Sequence, residues 1–130
     1  MSCCNGALLY IDNQINDESV TVANVNTDNG TILSGISAGD SVKAQTALQG
    51  EVKSVTHSNG AAEGQIGITV AGVAFTLNYN FKPRNEFGHC PCSPKGSASP
   101  DAAGGYKVVV KDTSGENSGA VLNFYIQKGA

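Results

Sequence analysis

The sequence predicts an all-β domain, a sandwich or closed barrel built from eight or nine short strands. Three observations predict it. Apolar and polar residues alternate with period two in several segments. Turn-forming clusters separate those segments at short intervals. No stretch repeats its apolar residues at the 3.6-residue spacing of an amphipathic helix.

The first strand is predicted near 7–12, where "ALLYID" is mostly apolar. The second is near 18–25, with Val20 and Val22 on one face. "TDNG" (27–30) turns the chain into a strand near 31–36, and "SAGD" (37–40) turns it again. Strands near 41–48 and 50–57 follow. A strand near 65–70 shares Ile66, Ile68 and Val70 on one face. Ala71-Gly72 then suggests a two-residue hairpin, although Ala is a poor first residue for such turns. The clearest alternation comes next, at 73–81. Val73, Phe75, Leu77, Tyr79 and Phe81 lie on one side, and Ala74, Thr76, Asn78 and Asn80 on the other. Strands near 105–111 and 120–127 flank a longer hairpin loop, "DTSGENSG".

Residues 82–104 break this rhythm. All four prolines fall there (Pro83, Pro91, Pro94 and Pro100), so a long loop is expected. The 130 residues fit one domain, 1–130, with no internal repeat. A chain this long can bury a sound core without a metal or a disulfide.

Composition narrows the function classes. Net charge is -3 and no run of Lys or Arg occurs, which argues against nucleic acid and against charge-driven binding to anionic lipid. The start, "MSCCNGALLYIDNQ", lacks a basic stretch and a long apolar run, so no signal peptide is expected. The expectation is a cytoplasmic protein, or one released without such a peptide. Obligatory disulfides are then disfavoured. No nucleophile motif surrounds His57 or His89, and no cofactor is expected.

The four cysteines leave three readings open. Cys3, Cys4, Cys90 and Cys92, with His89, could hold zinc, but zero and one intervening residues are poor spacings for paired ligands. A disulfide between the two pairs requires oxidising conditions. Free thiols are the favoured reading. Among the aromatics, Phe75, Tyr79 and Phe81 read as core before ligand shelf. Tyr10, Tyr106 and Tyr125 could sit at a rim, and Phe87 is the best candidate for an exposed aromatic.

The run "SNGAAEGQIGITVAGVAFTLNYNFKP" resembles the aegerolysins and their bacterial relatives, the small partners in binary insecticidal proteins. "LLYIDNQINDESVTVANVNTDNGTI" is similar to that family's first hairpin, and "SGENSGAVLNFYIQKGA" to its last. The resemblance covers most of the chain outside 82–104. It implies an antiparallel β-sandwich that is not an enzyme and acts at a membrane surface. It further implies recognition of a sphingolipid-type membrane lipid and, in several members, recruitment of a larger pore-forming protein. The family's lipid site uses a Glu, which Glu63 matches through "AAEG", and several Trp, of which this chain has none. Tyr79, Phe87 and Tyr106 are the aromatic substitutes, so the candidate ligand site is Glu63, Tyr79, Phe87 and Tyr106.

Glu63 is expected just before a strand, at a wet sheet end. There it either caps a turn or receives an ammonium-bearing headgroup. The rival function is a carbohydrate- or protein-binding module on a similar sandwich.

Overall fold

The computed structural model describes residues 4–28, 30–54, 61–84 and 90–129. They form β1 (Ala7–Asn13), β2 (Val20–Asp28), β3 (Thr31–Ser34), β4 (Ser41–Val42), β5 (Ala47–Ser54) and β6 (Ala62–Val70). β7 (Val73–Pro83), β8 (Cys92–Ser99), β9 (Ala102–Ala103), β10 (Tyr106–Thr113) and β11 (Val121–Lys128) complete the set. A single 3₁₀ turn, Asn117–Gly119, sits in the β10–β11 connection.

Two sheets result. One has six strands in the order β3-β5-β1-β11-β10-β9, the other five in the order β4-β2-β6-β7-β8. Leu9, Ile11, Leu122, Phe124 and Ile126 of the first sheet and Ile66, Ile68, Phe75, Leu77 and Phe81 of the second are buried in one continuous core. The architecture is a β-sandwich. The alternating residues of β6 and β7 that were expected to share a face do so and point inward. Ala71 (φ 48°) and Gly72 (φ 79°) make the two-residue hairpin, with the left-handed conformation at both positions that such a turn requires.

Four features differ from the sequence reading. There are eleven strands among the described residues, against eight or nine expected. The surplus is mostly short: β4 and β9 are two residues each. The strand expected at 41–48 is cut, because Thr46 N–H and Oγ1 both turn back to the Lys43 carbonyl and Gln45 takes φ 59°. Secondly, the sandwich is not wholly antiparallel, since β1 and β11 run parallel at the centre of their sheet. Thirdly, β1 and β2 are no hairpin; they belong to different sheets. Buried Asn13 fixes that crossing. Its Nδ2 donates to the carbonyls of Glu18 (2.8 Å) and Val42 (3.0 Å), and its Oδ1 accepts from Ile15 N–H (3.0 Å).

The fourth difference is the segment 82–104. The end of β7 and all of β8 and β9 lie within it. β8 pairs with β7 from Thr76↔Ser99 to Pro83↔Cys92 and forms an edge of the five-stranded sheet. An edge strand tolerates proline because one side of it has no ladder to serve, so Pro94 does not exclude a strand here.

The cysteines are oxidised. Cys4 and Cys92 form a disulfide that joins the start of the first sheet to the edge of the second across 88 positions of sequence. Cys90 is disulfide-bonded as well. The free-thiol expectation is therefore corrected. The zinc alternative loses the Cys4 and Cys92 thiolates to each other; Cys3 and His89 lie outside the described residues, as does His57.

Candidate functional site

The five-stranded sheet turns a polar grid outward. Register sets it: β6 pairs with β7 through Glu63↔Asn80 and Gln65↔Asn78, and β7 with β8 through Asn80↔Lys95 and Asn78↔Ser97. Two parallel rows thus cross the strands, Glu63–Asn80–Lys95 and Gln65–Asn78–Ser97. Between them runs the row Gly64–Tyr79–Gly96, whose side chains, where present, point inward. The result is a depression of about 390 Å³ walled by the two outer rows and floored by the middle one.

Hydrogen bonds order the walls. Asn80 Nδ2 donates to Glu63 Oε2 at 2.8 Å. Gln65 Nε2 donates to Asp28 Oδ2 on β2 at 3.1 Å, and Asn78 Nδ2 meets Ser97 Oγ at 3.4 Å. The Glu63 backbone N–H donates to Thr31 Oγ1 of β3 at 2.9 Å, which ties the site to the other sheet. The outer surface is therefore dense in amide donors and carbonyl acceptors, with a carboxylate toward one side and an ammonium toward the other.

The floor depends on glycine. A Cβ at Gly64 would meet Asn26 O at 2.2 Å and Tyr79 Oη at 2.5 Å. A Cβ at Gly96 would lie 3.0 Å from the Phe124 ring and 3.1 Å from Leu122 and Val110. β6 thus rests on the Tyr79 ring, and β8 approaches the opposite sheet closely.

Of the four residues expected at the site, two meet. Glu63 is half-buried on the outer face. β6 begins at Ala62, three residues before the expected start, so Glu63 is a strand residue facing the grid. Tyr79 lies beneath it as a core side chain, 2% exposed, with its ring edge-on to Phe81 at 6.2 Å. Its hydroxyl has no hydrogen-bond partner among the described residues. Burial, and then the negative charge of Asp28, push its pKa up to about 12. Tyr106 is half-buried on β10 in the other sheet, opposite Lys128, and does not line the depression. Phe87 lies outside the described residues.

Sequence reasoning missed Gln65, Asn78, Asn80, Lys95 and Ser97 as site residues. Gln65 was visible as a polar position of the β6 alternation. Lys95 and Ser97 were hidden inside the supposed loop.

No family model and no curated protein matches the chain. Solved structures with the same fold exist. The RahU protein, solved in complex with a Tris molecule, superposes with a TM-score of 0.67 at 9% identity over 98% of both chains. IP-1A from Alcaligenes faecalis superposes with a TM-score of 0.60 at 14% identity, covering 98% of this chain and 95% of its own. At these identities the likeness defines the class, a β-sandwich of this topology, and nothing finer. Among the described residues no helix is long and apolar enough to cross a membrane.

Proposed function

We propose that this protein is a non-enzymatic, aegerolysin-like recognition module that binds the polar headgroup of a membrane lipid on the outer face of the five-stranded sheet. One observation carries the reading. Glu63, the residue that the family resemblance singles out, stands in a polar depression as a residue of strand β6. Asn80 holds one carboxylate oxygen, which orients the group across the grid. A carboxylate held in this way suits an ammonium, and the surrounding amides suit the hydroxyl and amide groups of a sphingolipid.

The proposed docking relies on polar contacts from the described residues; Phe87, the expected exposed aromatic, lies outside them. Tyr79 is buried, Tyr106 is on the other sheet, and the large apolar side chain exposed among the described residues is Ile32. Recognition here is polar. Recruitment of a larger pore-forming partner, as part of a toxin or insecticidal pair, belongs to the same proposal and rests on the resemblance alone.

Co-sedimentation with liposomes of varied headgroup and sterol content tests this. Glu63→Ala should bind about tenfold more weakly, the loss of one charged hydrogen-bonding group, while melting nearly as the wild type does. Equal binding of both proteins across the panel rules the role out. A second reading has support in the lining itself: Gln65, Asn78, Asn80 and Ser97 would serve a glycan equally well. Binding on a glycan array without any liposome binding would favour it.

A further inference from the structure

Beside the Glu63 depression lies a second one of about 370 Å³, lined by Asn80, Lys82, Arg84, Ser93 and Lys95. The two share Asn80 and Lys95. Three of the eight cationic side chains of an acidic protein line this one corner. Register explains how they meet. Lys82 is directly opposite Ser93, and Lys95 is two residues further along β8, opposite Asn80. The Arg84 N–H donates to the Pro91 carbonyl at 2.8 Å, which holds the end of β7 against the entry to β8. Among the described residues neither Lys82 nor Lys95 is in an ion pair; those seen are Lys53–Glu51 and Lys128–Asp17, elsewhere on the surface.

These cationic side chains are exposed, so an anion bound among them would gain charge-assisted hydrogen bonds at a modest desolvation cost. Lysine ammoniums, a guanidinium and a serine hydroxyl together offer the donors that phosphate oxygens accept. We propose that this corner is an anion subsite for the phosphate group of a phosphate ester. It requires the polar grid to be the recognition face, but not that the ligand be a lipid. An ester held there would place its remaining part over Asn80 and toward Glu63.

Titration of the oxidised full-length protein with inorganic phosphate, followed by backbone amide NMR, tests the subsite. The wild type should show a saturable isotherm centred on Lys82, Arg84, Ser93 and Lys95. Lys82→Gln/Lys95→Gln should bind at least about tenfold more weakly with an unchanged urea midpoint, since two charge-assisted contacts are lost. Added monovalent salt should weaken binding, as the site is open to solvent. Shifts that never saturate, shifts spread equally over Lys107 and Lys111, or an isotherm unaltered in the double variant would overturn the subsite.

Vesicles separate the sources of the phosphate. One set carries a phosphomonoester lipid, and the other a glycosylceramide of similar chain length. Recruitment to the first set, lost in the double variant, identifies a lipid phosphate. Saturable binding of free phosphate with no recruitment to either set keeps the subsite, assigns it to soluble esters and defeats the lipid reading. Recruitment to both sets equally by wild type and double variant, sensitive only to Glu63, keeps the lipid reading and defeats the subsite.

Discussion

The two outer faces of the sandwich are built on the same alternation and do different things with it. On the six-stranded sheet the outward residues include Leu8 beside Val121 and Tyr125 beside Val109, with Tyr10 donating its hydroxyl to Gln49 Oε1 at 3.0 Å. These side chains are half-buried against each other and cover their own sheet. On the five-stranded sheet the outward positions near the site are amides, a carboxylate, a hydroxyl and lysines, and the backbone between them is open. The difference begins beneath the surface, where Gly64 and Gly96 flank Tyr79 in one cross-strand row. One face is closed by its own bulk; the other keeps its hydrogen-bonding groups for something else.

Reduction should distinguish the faces most strongly. A disulfide closing a loop of 88 positions contributes about 4–5 kcal/mol through the unfolded chain, and Cys90 is oxidised too, so reductant should lower urea stability by at least that much. Because Cys92 opens edge strand β8, amide exchange should accelerate in β8 more than in central β11. Equal acceleration in both would show that the staple does not serve the open face in particular.

Glycine substitutions sharpen the contrast. Gly64→Ala drives a methyl group into the Asn26 carbonyl, which is backbone and cannot swing away; a loss of about 3 kcal/mol is expected. Gly50→Ala, under the other face, meets the ends of the Ile36 and Leu33 side chains at 2.7 and 3.0 Å. Those can rotate, so about 1 kcal/mol is expected. Urea midpoints for the pair check the ordering. Asn13→Ala probes the crossing between the sheets. It orphans the Glu18 and Val42 carbonyls and the Ile15 N–H, for about 3 kcal/mol, and should leave ligand binding on the open face unchanged.

Much of this fold was legible because two-residue alternation reports burial directly. Val73 to Phe81 pointed to one face, and the structure puts them there. What escaped had physical causes. Ala62 and Gly64 are inward residues without bulk, so β6 looked three residues too short and Glu63 looked like a strand-end residue. β8 reads "CSPKGSAS", with no large apolar side chain, because Pro94, Gly96 and Ala98 face inward against bulk supplied by the other sheet. An edge strand of small residues has no hydrophobic signal, so the third of the depression's lining that β8 supplies was invisible. The parallel β1–β11 pair is a matter of long-range topology, which local alternation does not encode. The oxidised cysteines were disfavoured on an argument about compartment, and spacing alone could not choose a pairing.

The smallest effect expected concerns Tyr79, where the two layers of the open face meet. Its hydroxyl is buried beneath the depression without a partner among the described residues, and its pKa is raised to about 12. The folded state therefore holds the phenol proton above pH 10, where the unfolded chain releases it. The stability this contributes is fully present below pH 10 and is lost as pH rises from 10 to about 12. Tyr79→Phe removes both the orphaned hydroxyl and the titration. At neutral pH it should change stability by less than about 1 kcal/mol, because an unpaired buried hydroxyl is no asset to the fold. Between pH 10 and 12 the variant should lose less stability than the wild type, and the latest phenolate step in an absorbance titration should vanish. If that late step persisted in Tyr79→Phe, it would belong to another tyrosine; the Tyr79 phenol would then titrate with the others, and the floor of the open face would be less closed than its geometry shows.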